Sequence, residues 1–317
     1  MVKWITAVDD VAQVTDVGFE HIEEIDRFIP RGSSHDTGDT GSYAYRFKTS
    51  LERRTQASGD GPGLNRLWFD AFWDKGIARG KTTPEQKTAW AENLHAVSNM
   101  QEAVQDADLV IEAVPEIPDL KHKIFSELGK ITNKNCILGT NTSSLSIADI
   151  AAASGRPDMV IGMHFFNPVP IMKLLELVKH DLCSESTIAA ATAAGEAMGK
   201  TTILVKDVPG FATSRLGVVL GNEAIRMLAD GVASAKDIDT AMVLGYKHPM
   251  GPLALTDLVG LDVRRDILLN LKKSFSDDAY TPHPLLEQLI SEGRLGKKSG
   301  KGIYDWSSGS AEETELP

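Results

Sequence analysis

Three short apolar runs, residues 109–114 (LVIEAV), 136–139 (CILG) and 159–163 (MVIGM), set the tightest limit on how this chain can fold. Each is bounded by turn residues and is too short for an ordinary helix, so each reads as a buried strand. Between the first two, Leu120, Ile124 and Leu128 recur at helical spacing. Apolar strands that alternate with helices predict a parallel sheet in an α/β fold. After residues 201–206 (TTILVK), Pro209 and Gly210 break the chain. From there the pattern is helical almost to the end, over 212–229, 235–244, 262–275 and 285–292. The expected division is an α/β sheet domain over residues 1–206 and an all-helical domain over 207–317.

The first 75 or so residues are atypical for such a domain. Residues 2–8 (VKWITAV) read as a strand and 22–28 as a helical turn or two, whereas 31–45 and 53–63 are Gly-, Ser-, Thr- and Asp-rich and read as loop. Helical spacing starts with Leu64, Leu67, Trp68, Ala71, Phe72 and Trp73, and 76–81 (GIARGK) ends that helix. Thr83, Pro84 and Glu85 then open another: a capping hydroxyl, a proline suited to the first turn, and an acid favoured by the helix dipole.

The net charge of -11 argues against a general nucleic-acid or anionic-membrane binder, which needs a basic surface. Two cysteines cannot form a disulfide framework, and no stretch approaches a membrane span or a secretion signal. The expectation is a cytoplasmic protein with no metal site.

Asn141, Thr142, Ser143 and Ser144 directly follow the CILG run, placing hydroxyls at the carboxyl end of a parallel strand, where α/β sheets bind ligands. Equally, Ser143 or Ser144 could cap a helix over 147–152. His164 follows the MVIGM run, and a histidine there can act as a general base because it titrates near neutrality. In its aromatic setting, His164 is on its own more often a packed core residue. Glu176 lies in the apolar run 173–178 (KLLELV), where burying a carboxylate is costly unless it is paired. Either a His–Glu pair removes that cost, or the run is amphipathic and Glu176 faces water.

These motifs, taken in order, carry a family resemblance. Residues 106–116 (DADLVIEAVPE), the NTSS segment, HFFNPVPIMKLLELV, PGF at 209–211, GVASAKDIDTAM, HPMGPLALTDLVGLD and GRLGKKSGKGIYDW together resemble the 3-hydroxyacyl-CoA dehydrogenases over about residues 76–306. The ending is most similar to bacterial 3-hydroxybutyryl-CoA dehydrogenases. The resemblance implies a Rossmann-like sheet domain followed by a helical substrate and dimerisation domain. It also implies hydride transfer between an acyl-CoA substrate and NAD, with NADP the alternative, in a homodimer formed through the C-terminal domain. The apolar helix around 216–227 suits such a contact. By the same resemblance His164 is the catalytic base, Glu176 orients it, and Ser143 binds the substrate oxygen. Glu116 and Lys121 lie near the nicotinamide ribose, Asn167 is a further cofactor contact, and Lys298 reaches the cofactor from the second domain. Ser214 stands where many members carry Asn, keeping a hydrogen-bonding group but lacking the amide.

The family opens with a strand, a G-x-G-x-x-G loop and a helix whose N-terminus holds the pyrophosphate. This chain contains no G-x-G-x-x-G. Residues 47–52 (FKTSLE) are similar to the family's second strand, with Arg53 where a ribose-binding acid is expected. Two readings follow: a shifted reading frame or a misassembled gene over about residues 8–68, or a divergent chain with a lost or rebuilt nucleotide site. The second admits a non-catalytic acyl-CoA-binding homologue. A related dehydrogenase of sugar acids or carnitine is a further alternative.

Overall fold

The computed structural model describes residues 2–8, 11–17, 63–97, 99–167 and 169–316. The helical turn expected over 22–28, the loops at 31–45 and 53–62, and the segment around Arg53 lie outside them. The chain divides into two compact units, Met1–Asp207 and Val208–Pro317.

The first unit begins with strands β1 (Val2–Val8) and β2 (Val11–Val17), helices α1 (Gly63–Ala78) and α2 (Pro84–Glu92), strand β3 (Leu94–Val97) and helix α3 (Met100–Val104). It continues with β4 (Leu109–Glu112), α4 (Pro118–Ile131), β5 (Ile137–Thr140), α5 (Ile147–Ala153) and β6 (Val160–Phe165). Strand β7 (Leu174–Lys179), helix α6 (Glu185–Ala197) and strand β8 (Thr201–Lys206) complete it. The eight strands form one sheet in the order β3-β2-β1-β4-β5-β6-β7-β8.

The expected α/β sheet is there, but it is mixed. Strands β1, β4, β5 and β6 are mutually parallel, whereas β2 runs antiparallel to both of its neighbours and β7 antiparallel to β6. Connection length is the reason. Only Asp9 and Asp10 separate β1 from β2, and eight residues separate β6 from β7, too few for a parallel crossover. Strand β8 returns parallel to β7 because α6 lies between them.

Both faces of the central strands are apolar, and alternate residues serve different layers. Val110, Leu138 and Val160 pack with Ile124, Phe125 and Leu128 of α4 and Ile150 of α5. Leu109, Ile111, Ile161, Met163 and Leu177 pack on the other face with Ile188 and Ala191 of α6. Full burial of each such side chain stabilises by about 1.5–3 kcal/mol. The cap predicted at Thr83 is a capping box: Gln86 N donates to Thr83 Oγ1 at 3.2 Å and Thr83 N to Gln86 Oε1 at 2.9 Å. Ser146, rather than Ser143 or Ser144, caps α5, its Oγ accepting from Asp149 N at 3.2 Å.

The second unit contains α7 (Thr213–Ala229), α8 (Ala235–Thr240), α9 (Pro252–Val259), α10 (Leu261–Phe275) and α11 (Pro284–Ser291), then a two-stranded β9 (Tyr304–Asp305) and β10 (Glu312–Glu313). The strand pair and α9 were not anticipated. Two buried aspartates organise the unit. Asp239 accepts from Leu253 N and Ala254 N at the start of α9, at 2.8 and 2.9 Å, and from the Tyr304 hydroxyl at 2.9 Å. Asp257 accepts from Ile303 N, Tyr304 N and Trp306 Nε1 at 2.8–2.9 Å. The glycines of the terminal motif exist for this cage, since a Cβ on Gly302 would lie 2.1 Å from Asp257 Oδ1 and one on Gly296 2.3 Å from the Asp257 carbonyl oxygen. Among the described residues no helix is long and apolar enough to cross a membrane, and no His, Cys, Asp or Glu cluster could hold a metal.

Candidate active site

At the carboxyl end of the sheet, the row that is apolar in the core turns polar. Two residues beyond Val110 is Glu112, two beyond Leu138 is Thr140, and Glu112 and Thr140 stand opposite each other in register. Both are fully buried. Glu112 Oε2 accepts from Thr140 Oγ1 at 2.7 Å, and its Oε1 from Val114 N at 2.6 Å and Lys121 Nζ at 2.7 Å. Lys121 reaches this place because it sits on the same stripe of α4 as Ile124, Phe125 and Leu128. Burial pushes the Glu112 carboxyl up, and Lys121, Thr140 and Val114 N act against that. The Lys121 ammonium also donates to Val114 O and Asn141 O, at 3.4 and 3.3 Å. It thus ties the ends of β4 and β5 together and faces inward. Glu112 was missed in the sequence, although a lone acid inside LVIEAV carried the same signal as Glu176.

Just beyond the strands, Glu116 gathers the NTSS segment. Its Oε1 accepts from Thr142 Oγ1 at 2.6 Å and Ser143 N at 3.0 Å, with the Ser143 and Ser144 hydroxyls at 3.4 and 3.3 Å. Its Oε2 lies 3.7 Å from Lys121 Nζ. The Glu116 side chain keeps 24% of its surface exposed, so a ligand hydroxyl can still reach it. Asn141 Oδ1 accepts from Phe165 N at 3.1 Å, binding this turn to the end of β6.

On β6 the same row runs Val160, Gly162, His164. Antiparallel pairing sets Glu176 of β7 directly opposite His164, and Oε2 meets Nδ1 at 2.7 Å. Glu176 is fully buried and His164 is 7% exposed. The paired reading of Glu176 is therefore the one the fold adopts, and the water-facing one is not. With Nδ1 engaged, proton exchange with a ligand falls to Nε2. The loop leaving β6 is held by Lys200, whose buried ammonium donates to Val169 O and to Met172 O. Asn167, on this loop, is exposed.

The first unit thus brings together His164, Glu176, Ser143, Glu116 and, as an interior tie, Lys121. Ser214 and Lys298 belong to the second unit, Ser214 in the first turn of α7. Lys298 Nζ pairs with Asp262 there.

A dinucleotide fits part of this edge. Glu116 is a partly exposed acceptor of the kind a ribose hydroxyl needs, and His164 lies at the same carboxyl end of the sheet.

Comparison with known proteins matches the NAD binding domain of 3-hydroxyacyl-CoA dehydrogenase to residues 67–208 and the C-terminal domain of the same enzyme to residues 210–306. The chain is 42% identical to the 3-hydroxybutyryl-CoA dehydrogenase of Clostridioides difficile over 75% of its own length and 85% of that protein. It is 41% identical to a probable 3-hydroxybutyryl-CoA dehydrogenase of Bacillus subtilis, covering 87% of this chain and 93% of the other. Among solved structures, (S)-3-hydroxybutyryl-CoA dehydrogenase PaaH1 from Ralstonia eutropha superposes with a TM-score of 0.74 at 38% identity, over 78% of this chain and 87% of that one. Two family domains in sequence, over a sheet edge that pairs His164 with Glu176, identify the chain as a member of the 3-hydroxyacyl-CoA dehydrogenase family.

Proposed function

We propose that the protein interconverts (S)-3-hydroxybutyryl-CoA and acetoacetyl-CoA as an NAD-dependent oxidoreductase. The observation that carries this reading is the His164–Glu176 pair, 2.7 Å apart, at the sheet edge beside the NTSS turn. Bound NAD supplies the two-electron acceptor at C3 of the substrate. His164 Nε2 takes the proton as the O–H bond of the 3-hydroxyl breaks and the carbonyl forms. Glu176 stabilises the resulting imidazolium and holds the ring in one orientation. Ser143 Oγ donates to the substrate oxygen. Glu116, with Lys121 behind it, receives a ribose hydroxyl, and Asn167 and Lys298 are further cofactor contacts. Ser214 assists at the substrate. The active form is a homodimer joined through the helical unit, whose α7 exposes Leu216 and Val219.

A second reading is favoured by one specific feature. The sequence contains no G-x-G-x-x-G loop to cradle a pyrophosphate. On that reading the chain binds acyl-CoA without turnover.

Mixing the purified protein with acetoacetyl-CoA and NADH, and following NADH absorbance, separates the two. Steady oxidation with acetoacetyl-CoA and none with free acetoacetate supports the dehydrogenase. A folded protein that binds acetoacetyl-CoA and leaves NADH unchanged supports the binding homologue.

A further inference from the structure

The Nδ1–Oε2 bond to Glu176 anchors the His164 ring at one atom, and a hydrogen bond by itself still tolerates some misalignment of the ring. A second contact restrains the imidazole. The Phe166 ring lies against it, with centroids 4.5 Å apart and planes tilted by 46°. Phe166 is the first residue beyond β6, and alternate residues of an extended chain point to one side, so it continues the row of Gly162 and His164. Unlike its neighbour Phe165, which is 4% exposed, Phe166 is only half-buried. Core packing accounts for Phe165 and leaves Phe166 with a different task.

The chain is clamped on both sides of Phe166. Just before it, Phe165 N donates to Asn141 Oδ1 at 3.1 Å. Beyond it, Lys200 Nζ donates to Val169 O and to Met172 O, and Thr201 N donates to Lys173 O at 2.7 Å. Lys200 is 6% exposed, and its acceptors among the described residues are neutral carbonyls. Burying an ammonium on neutral acceptors is costly, so its presence here marks how firmly the segment after Phe166 is held.

We propose that Phe166 is a positioning residue for His164: its ring keeps the imidazole seated on Glu176, with Nε2 aimed in one direction. For its effect on turnover this rests on His164 being the base of the dehydrogenase reading. The restraint on the ring does not.

The test uses the full chain and two readouts, only one of which needs turnover. The first is acetoacetyl-CoA-dependent NADH oxidation by Phe166→Leu, His164→Ala and the double variant. Leucine keeps an apolar side chain but loses the ring face. The kcat should fall by roughly tenfold, a fraction of the ~10²-fold that misplacing a group by about 1 Å can cost. KM for acetoacetyl-CoA should stay within about twofold, because the lost contact lies within the enzyme. Phe166→Tyr, which keeps the ring, should retain most of the rate, and Phe166→Met takes the place of the leucine variant if that one does not fold. In the His164→Ala background, Phe166→Leu should change the residual rate by less than about twofold, since residues that act as one unit are not additive. An equal loss in both backgrounds overturns the proposal, because Phe166 then acts on substrate or fold. So does an unchanged kcat.

The second readout is the pair of ring-nitrogen NMR shifts of His164, measured in alkaline buffer with isotope-labelled histidine and assigned by their loss in His164→Ala. The wild type should show the two nitrogens well apart, with the proton on Nδ1. Phe166→Leu should draw them together as the ring leaves Glu176 and the tautomers mix. Shifts that Phe166→Leu does not move overturn the proposal. If the wild type does not oxidise NADH, the dehydrogenase reading fails and the nitrogen shifts alone decide the role of Phe166.

Discussion

His164 and Glu176 lie opposite each other on antiparallel strands, twelve residues apart in the chain and 2.7 Å apart between Nδ1 and Oε2. This follows from the short β6–β7 connection, because a parallel arrangement at that position would remove the pairing altogether. Replacing His164 with Ala should therefore reduce acetoacetyl-CoA-dependent NADH oxidation by about 10²–10⁴-fold while acyl-CoA binding persists. Glu176→Gln should cause a smaller loss with the circular dichroism spectrum unchanged. Retained turnover in the histidine variant would remove His164 from the base role.

Glu116 is held by Thr142 Oγ1 and Ser143 N, with part of its carboxylate surface exposed. If it receives a ribose hydroxyl, Glu116→Ala loses one hydrogen bond to a charged group, and NADH affinity should fall about 10–100-fold. Fluorescence titration of NADH reads this directly. An unchanged dissociation constant would leave Glu116 with only its task of ordering the NTSS turn.

The buried Glu112–Lys121 pair offers a stability test. Lys121→Met strands a buried carboxylate and should cost about 3–5 kcal/mol in urea unfolding. Changing both partners, Glu112→Leu with Lys121→Met, should recover most of that loss. A double variant no better than the single one would show that the pair's further bonds to Thr140, Val114 and Asn141 matter more than its charge.

Lys200 gives the pH dependence a definite sign. Burial lowers its pKa from 10.5 to about 8. Between those values the unfolded chain holds a proton that the folded chain has released, so stability rises with pH across that window. Below about 8 both states are protonated and the burial penalty is present in full. Urea midpoints on either side of this window should climb in the wild type and stay flatter in Lys200→Met. A parallel climb in both would assign the effect to other groups.

The Asp257 cage predicts a strong response to a small change. A methyl group added at Gly302 meets Asp257 Oδ1 at 2.1 Å and the Gly296 backbone at 2.5 Å. Gly302→Ala should destabilise the protein by about 1–3 kcal/mol, as overpacking generally does. Calorimetry that finds the thermal midpoint unmoved would show that the loop shifts freely.

Much of this was legible in the order of residues, for a physical reason. Local patterns report what a segment buries, so the runs at 109–114, 136–139 and 159–163 declared their strands, and Thr83 and Pro84 their helix start. Glu176 stood out because a carboxylate is a costly group in apolar text, and His164 because it follows a strand. Strand direction was not legible, since it depends on whether a connection is long enough to cross the sheet, and the mixed sheet came as a correction. Nor could the sequence choose between a water-facing and a paired Glu176, because the choice rests on a register between strands that only the folded sheet defines. The cap at Ser146, the inward turn of Lys121 and the glycine cage around Asp257 were likewise decided by packing. The sequence by itself determined which side chains had to be satisfied. Tertiary structure determined by what, because hydrogen-bond partners far apart in the chain meet only once the strands are aligned.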